Sequence, residues 1–151
     1  MNNIPALGLL PDILGYQIRT LQLAVFQSFE RFLGELEITP TQFGALVVVD
    51  SNPGLKQAQL ARAIQLDRST VVSLVDRLQS RKLIERKRLN ADRRSNALVL
   101  TKKGKRLLGQ ALVRVQKHEA NLVKDLDKNE RNAMKQYLQQ IQENALSDND
   151  G

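Results

Sequence analysis

The sequence predicts a mainly α-helical fold in which a winged helix-turn-helix, residues 40–101, lies between long N- and C-terminal helices. Three observations predict this fold. Apolar residues recur three and four positions apart in both terminal segments, as in amphipathic helices. Two short helical segments near the middle of the chain are joined by only three residues, Gln65 to Asp67. A turn-rich stretch within residues 89–100, LNADRRSNALVL, then separates two strand-like runs, as expected of a hairpin.

The first element is a long amphipathic helix, predicted over residues 12–35 because its apolar residues share one face. We treat the whole chain, 1–151, as a single domain and assign dimerisation to the helices within residues 10–36 and 102–146. A chain of this length cannot bury every apolar face of those helices by itself, which favours a dimer. The polar end, residues 147–151, is expected to be disordered.

The second helix is predicted to begin at residues 39–42, Thr-Pro-Thr-Gln. Thr39 is a good N-cap, Pro40 suits the first helical position, and Gln42 stands where a capping box needs Glu or Gln. The sequence Asn-Pro-Gly at residues 52–54 ends this helix. A short third helix follows at about residues 56–64.

The fourth helix, at about residues 68–80, is the most regular in its pattern. Asp67 is its predicted N-cap. Its apolar residues fall at i, i+3, i+4 and i+7, so they form one narrow stripe that faces the core. They are Val71, Leu74, Val75 and Leu78.

Two strands, at residues 83–88 and 97–100, are predicted to form the hairpin, and its tip carries Asp92, Arg93 and Arg94. Thr101 then caps a long helix at about residues 102–126. A last amphipathic helix is predicted at about residues 129–146.

Composition excludes several classes of function. There is no cysteine, so thiol chemistry and disulfides are excluded, and a single histidine, His118, argues against a transition-metal site. We expect His118 at the surface or at an interface, and we expect no cofactor. No apolar run is long enough to span a membrane, and the N-terminus has no basic start, so we expect a cytoplasmic protein. No catalytic motif indicates an enzyme.

Positive charge is concentrated in the middle of the chain. The net charge is +7, but residues 56–106 carry 15 Lys and Arg against four acidic residues, a local net of +11. A basic centre between acidic ends is typical of a protein that contacts nucleic acid with one part of its fold.

The outer face of the fourth helix is small and polar, as a helix that enters the major groove requires. The alternative is an ordinary solvated face, and solvent exposure is likewise the alternative for the arginines of the hairpin. Asp92 would repel phosphate, so we expect it to position the wing loop instead. The predicted DNA contacts are Arg68, Ser69, Thr70, Ser73, Arg77, Arg86, Arg88, Arg93, Arg94 and Lys102.

The central segment resembles the DNA-binding part of the MarR family of bacterial transcriptional regulators. The matching pieces are LA at residues 60–61, LDRSTV at 66–71, LVDRL at 74–78, DRR at 92–94 and the pattern Leu-x-Leu-Thr-x-x-Gly at 98–104. The resemblance implies a homodimer on a pseudo-palindromic operator, with recognition helices in successive major grooves and wings in the flanking minor grooves. Gln65 and Lys82 depart from it, since such proteins often have glycine there. We expect Lys82 to add a phosphate contact.

The same resemblance implies a ligand pocket between the first two helices, the fifth helix and the DNA-binding part. Arg19 is the natural counter-ion there for an acidic ligand. Plain core packing with a solvated Arg19 is the alternative. The candidate lining residues are Tyr16, Arg19, Leu23, Phe26, Phe43 and Val47.

Residues 14–19, LGYQIR, are similar to the corresponding part of regulators of aromatic-acid catabolism that answer to hydroxycinnamates or their CoA thioesters. The leading hypothesis is therefore a dimeric, sequence-specific repressor that a small aromatic acid or its CoA thioester releases from DNA. The alternative is an architectural DNA-binding protein of the nucleoid that has no effector.

Overall fold

The computed structural model describes residues 5–88 and 96–147, apart from the side chains of residues 88 and 96. The predicted wing tip with Asp92, Arg93 and Arg94, and the tail beyond Ser147, lie outside these described residues. The chain forms two compact units that divide after Gln116. The helices are α1 (Leu14–Leu33), α2 (Pro40–Ser51), α3 (Gln57–Ala63), α4 (Arg68–Ser80), α5 (Lys102–Leu122) and α6 (Lys128–Ser147); the strands are β1 (Leu55–Lys56), β2 (Ile84–Arg88) and β3 (Asn96–Leu100).

The mainly helical, winged helix-turn-helix fold is confirmed. Within the first unit, α2 begins with the predicted capping box: the Gln42 backbone N–H donates to Thr39 Oγ1 at 3.2 Å, and the Thr39 N–H donates to Gln42 Oε1 at 3.1 Å. This reciprocal pair satisfies two N–H groups that a helix start otherwise leaves without partners. The inner side of α2 then packs into the core through Ala45, Leu46 and Val49.

The turn between α3 and α4 places α4 on the core. Gln65 has a φ of 55°, in the left-handed region, and the Leu66 N–H donates to the Ala61 carbonyl at 3.0 Å. The chain therefore turns sharply at the end of α3, as chains commonly do at a helix C-terminus. The predicted apolar stripe of α4 is confirmed, since Val71, Val75 and Leu78 are fully buried and Leu74 is 8% exposed.

The sheet has three antiparallel strands in the order β1-β3-β2. The predicted hairpin of β2 and β3 is confirmed, with Ile84 opposite Leu100 and Arg86 opposite Leu98. The sequence did not predict β1, which pairs Leu55 with Leu98. A strand of two residues is too short to show an alternating pattern, and it forms because the edge of β3 is available for pairing.

α5 starts where the sheet ends. Thr101 Oγ1 accepts from the Gly104 N–H at 3.0 Å and donates to the Lys82 carbonyl at 2.6 Å. Gly104 lies so close to the residue before β2 that a Cβ at this position would be 2.0 Å from the Leu83 carbonyl oxygen. Glycine is therefore required sterically here, and the predicted role of Thr101 as a cap is confirmed.

The second unit contains the end of α5 and all of α6. α5 ends at Leu122 rather than near residue 126, because Asp127 forms a capping box for α6: its carboxylate accepts from the Glu130 N–H at 2.9 Å. Glu130 in turn accepts from the Asp127 N–H at 2.7 Å. His118 is 1% exposed, so the expectation of a surface position was wrong.

Among the described residues, no single helix is long and apolar enough to cross a membrane. One bent pair of helices, Leu14–Leu36 with Pro40–Ser51, is long and apolar enough only when the two helices are taken together.

Candidate nucleic-acid interface

The outer face of α4 carries the five predicted contacts of that helix. Arg68, Ser69, Thr70, Ser73 and Arg77 are all exposed, whereas the opposite side of the helix is buried. Burial of the apolar stripe fixes the rotation of α4 about its own axis. The polar face therefore points to solvent, and no other contact is needed to set this orientation. The helix can present two long guanidinium donors and three small hydroxyl groups to one partner.

The start of α4 is organised around Asp67. Its carboxylate accepts from the Thr70 backbone N–H at 2.9 Å, and it also accepts from the hydroxyls of Ser69 and Thr70. The Ser69 hydroxyl, followed by the two Thr70 groups, lowers the pKa of Asp67 well below its ordinary value. Asp67 is therefore ionised at neutral pH, and its predicted role as N-cap is confirmed.

Arg86 is turned inward, toward the domain itself. Its Nη2 donates to Asp76 Oδ1 at 2.7 Å and to Gln57 Oε1 at 3.3 Å, and its Nη1 donates to Gln79 Oε1. One guanidinium on β2 thus connects α3 and α4. These contacts make Arg86 a positioning residue, and a direct DNA contact for it stays a prediction.

Sequence reasoning missed the partners of Arg86. Asp76 and Gln79 are three residues apart on α4, a spacing that puts them on one face of the helix. That signal was present, but the sequence does not say which residue of β2 faces α4. Arg86 is paired with the buried Leu98 and so lies on the core side of the sheet, where its guanidinium contacts Asp76 and Gln79 of α4.

Two concave surfaces flank α4. One, of about 320 Å³, is lined by residues of the α2 start and by Thr70, Ser73 and Arg77. The other, of about 230 Å³, lies between α3 and α4 and includes Arg68 and Val72. Val72 is 45% exposed and was not predicted as a site residue, because valine usually indicates burial.

Basic residues continue beyond α4, although several serve the fold. Lys103 Nζ donates to the Arg81 carbonyl at 3.0 Å, at the C-terminal end of α4, where a cation is favourable. Arg81 donates to the carbonyls of Leu36 and Glu37.

Lys102 is exposed at the start of α5. Arg88 ends β2, and its side chain lies outside the described part of the structure, as do Arg93 and Arg94.

The predicted ligand-pocket residues divide into two groups. Arg19, Leu23 and Phe26 are exposed on α1, and Tyr16 is half-buried. Phe43 and Val47 on α2 instead pack against the core, where the Phe43 ring lies 5.6 Å from that of Phe29. The cavities described above are not lined by these six residues. A shared ligand pocket for them stays a prediction.

Comparison with known proteins agrees with this geometry. The family model of the MarR family matches residues 36–95. A protein of Thauera aromatica that is assigned as a putative transcriptional regulatory protein for the hcr operon is 38% identical over 110 residues, or 72% of this chain. The chain spans 64% of the length of that relative.

Solved structures match over nearly the full length. The transcriptional repressor CouR, bound to a 23-mer DNA duplex, is 35% identical and superposes with a TM-score of 0.84, over 92% of this chain and 99% of that chain. CouR bound to p-coumaroyl-CoA is 32% identical, with a TM-score of 0.83 over 91% of this chain and 97% of that chain. From the family-model match, the fold and these similarities, the chain belongs to the MarR family.

Proposed function

We propose that the protein is a dimeric, sequence-specific DNA-binding repressor of the cytoplasm, which a small aromatic acid or its CoA thioester releases from its operator. The observation that carries the proposal is the exposed face of α4, where Arg68 and Arg77 bracket three small hydroxyl residues. Long donors suit guanine edges and phosphates, and small residues let the helix axis approach the floor of the major groove.

The surrounding domain supports this use of α4. The buried stripe and the Arg86 contacts hold α4 against the sheet, so the orientation of the exposed face is fixed by packing. The lysines and arginines of residues 56–106 give the first unit a positive potential, which attracts the DNA backbone and makes the affinity depend on salt. The similar CouR repressor has been solved on a DNA duplex.

Exposed apolar residues support the dimer. In the first unit, Leu9 is 78% exposed, Ile13 50% and Leu21 58%. In the second unit, Leu138 is 48% exposed and Leu146 62%, and both line one shallow surface of α6. Large apolar side chains rarely cluster on the surface of a monomer, so each of these faces is suited to a second copy of the chain.

The effector is proposed from two observations. CouR is similar over nearly the whole chain and has been solved with p-coumaroyl-CoA. On α1, Arg19 is an exposed cation beside the exposed apolar residues Leu23 and Phe26. An aromatic ring with an acidic group would find both kinds of partner there.

Footprinting on the DNA upstream of the protein's own gene tests the proposal. We expect protection of two half-sites whose centres lie about 10 base pairs, or a multiple of this, apart, because a two-fold dimer places its helices one DNA turn apart. Added p-coumaroyl-CoA or p-coumarate should remove the protection, while CoA alone should not. Uniform protection along the fragment would favour the architectural alternative.

A further inference from the structure

The two hydroxyls at the start of α4 have no proton left for DNA. An ionised carboxylate can only accept hydrogen bonds, so the hydrogen atoms in its contacts with Ser69 and Thr70 belong to the hydroxyls. A hydroxyl has one proton and two lone pairs. Both side chains are exposed, and what they offer to solvent is therefore acceptor lone pairs.

Acceptors select a particular set of partners in the major groove. Adenine presents the N6 amino group there and cytosine the N4 amino group, whereas guanine and thymine present only acceptors and a methyl group. Phosphate oxygens are acceptors as well. A hydroxyl held by Asp67 can bond to guanine, thymine or phosphate only by giving up its bond to a carboxylate, which is stronger than a neutral hydrogen bond.

We propose that Asp67 is a specificity-determining residue that makes Ser69 and Thr70 acceptor-only readers of DNA, which select adenine or cytosine over guanine and thymine on the strand they contact. This inference rests on the proposed sequence-specific binding and adds the chemical rule for two positions. Arg68 and Arg77 can only donate, so the face of α4 combines acceptors at its start with donors on either side.

The Asp67→Asn variant isolates the effect of the carboxylate. Asparagine is as good an N-cap as aspartate, so its amide oxygen keeps the bond to the Thr70 N–H. The amino group of the asparagine cannot accept a hydrogen bond, however, so Ser69 and Thr70 compete for its one oxygen. The hydroxyl that loses this competition has its proton available for DNA. Thermal unfolding of the variant checks that the fold is unchanged.

The experiment measures the affinity for every single-base-pair variant of an operator selected from random duplexes. Ser69→Ala and Thr70→Ala identify the positions that these hydroxyls contact, because the base preference there becomes flat. Ser80→Ala is the matched control: its hydroxyl donates to the Arg77 carbonyl at 2.8 Å within the helix, and its profile should equal that of the wild type.

At the identified positions we expect one strand to carry an adenine or cytosine whose exocyclic amino group is needed. Replacing that base by its analogue without the amino group should cost about fivefold in affinity, the size of one hydrogen bond. Asp67→Asn should flatten the position read by the released hydroxyl and leave the positions that neither hydroxyl contacts unchanged. An affinity that does not fall when the amino group is removed from the adenine or cytosine of those pairs would overturn the proposal, as would an unchanged Asp67→Asn profile, or a uniform loss of affinity in Ser69→Ala and Thr70→Ala. A wild-type profile that is flat at every position would instead contradict sequence-specific binding itself.

Discussion

Arg86 on β2 and Asp76 on α4 form an ion pair of 2.7 Å, which connects the first strand of the wing to the helix proposed to read DNA. Arg86 is the less exposed partner, with 24% of its side chain accessible against 57% for Asp76. Because the same guanidinium also contacts Gln57 and Gln79, one residue sets the position of β2 against both α3 and α4.

Replacing Arg86 by alanine should therefore lower the free energy of unfolding by about 1 kcal/mol, since the pair is only partly shielded from solvent. Asp76→Ala should have a similar effect, and the double variant should lose less than the sum of the two. Urea unfolding measures all three. Lys87→Ala is the control on the same strand, because Lys87 is exposed and should change stability by less than about 0.5 kcal/mol. If Arg86→Ala weakened DNA binding with unchanged stability, Arg86 would be a direct DNA contact instead.

Replacing Lys82 by glycine should stabilise the protein. Its φ of 58° lies in the left-handed region, which costs a residue with a side chain about 1 kcal/mol relative to glycine. We expect Lys82→Gly to raise the free energy of unfolding by up to about 1 kcal/mol, because the more flexible unfolded chain offsets part of the gain. Lys82→Ala removes the charge but keeps the strain, so it is the matched control and should not be more stable than the wild type.

The same two variants test whether Lys82 contacts phosphate. Both should weaken DNA binding equally and reduce its salt dependence by about one phosphate contact. A Lys82→Gly variant that is no more stable than Lys82→Ala would contradict the argument from backbone conformation. Unchanged DNA affinity in both variants would show that Lys82 does not contact phosphate.

Gly104 and Gly109 form a matched pair on α5. A Cβ at position 104 would lie 2.0 Å from the Leu83 carbonyl oxygen, whereas nothing lies within 4 Å at position 109. Gly104→Ala must displace α5 from Leu83 and should lower the free energy of unfolding by about 3 kcal/mol. Gly109→Ala should raise it by up to about 1 kcal/mol, because alanine favours a helix. Equal effects in urea unfolding would mean that α5 does not approach Leu83 so closely.

The wing tip is predicted from the sequence, since Asp92 and Arg94 lie outside the residues that the structure describes. Arg94→Ala should weaken operator binding by about tenfold, with little change in melting temperature, if the arginine enters the minor groove. Asp92→Ala should also weaken binding, although it removes a negative charge, because Asp92 is proposed to position the loop. A rise in affinity would show that Asp92 only repels phosphate.

Arg19 should matter for the effector and not for DNA. Arg19→Ala should reduce the rise in melting temperature that p-coumarate or p-coumaroyl-CoA produces, because binding to the folded state stabilises it. Arg31→Ala is the control, since Arg31 is another exposed arginine of α1 and should keep the full response. An unchanged response in Arg19→Ala would exclude Arg19 from the ligand site.

Much of the fold could be predicted because its signals are local. Asp67 and Thr39 are caps whose partners lie within three residues, and the stripe from Val71 to Leu78 repeats at helical spacing. The predicted α4 therefore has the observed limits, Arg68–Ser80. The pairing of Leu55 with Leu98 connects residues far apart in the chain, and no local pattern indicates it.

The candidate site was predictable in its composition but less so in its contacts. Exposure of Ser69 and Ser73 followed from their position opposite the apolar stripe. The inward turn of Arg86 did not follow, because it depends on the register of β2 against β3, which decides the residues of β2 that face α4. Gln65 and Lys82 both have a positive φ. This agrees with the frequent occurrence of glycine at these two positions in similar proteins.

The central claim is that the exposed face of α4 reads a DNA sequence. Fluorescence anisotropy at about 0.15 M salt, near physiological ionic strength, tests it most directly, with a duplex from the protein's own upstream region and a scrambled duplex of equal composition. We expect the upstream duplex to bind at least about 10³-fold more tightly. The Ser73→Glu variant should lose this preference, because it puts a negative charge on the reading face. Equal affinity of the wild type for both duplexes would contradict the claim.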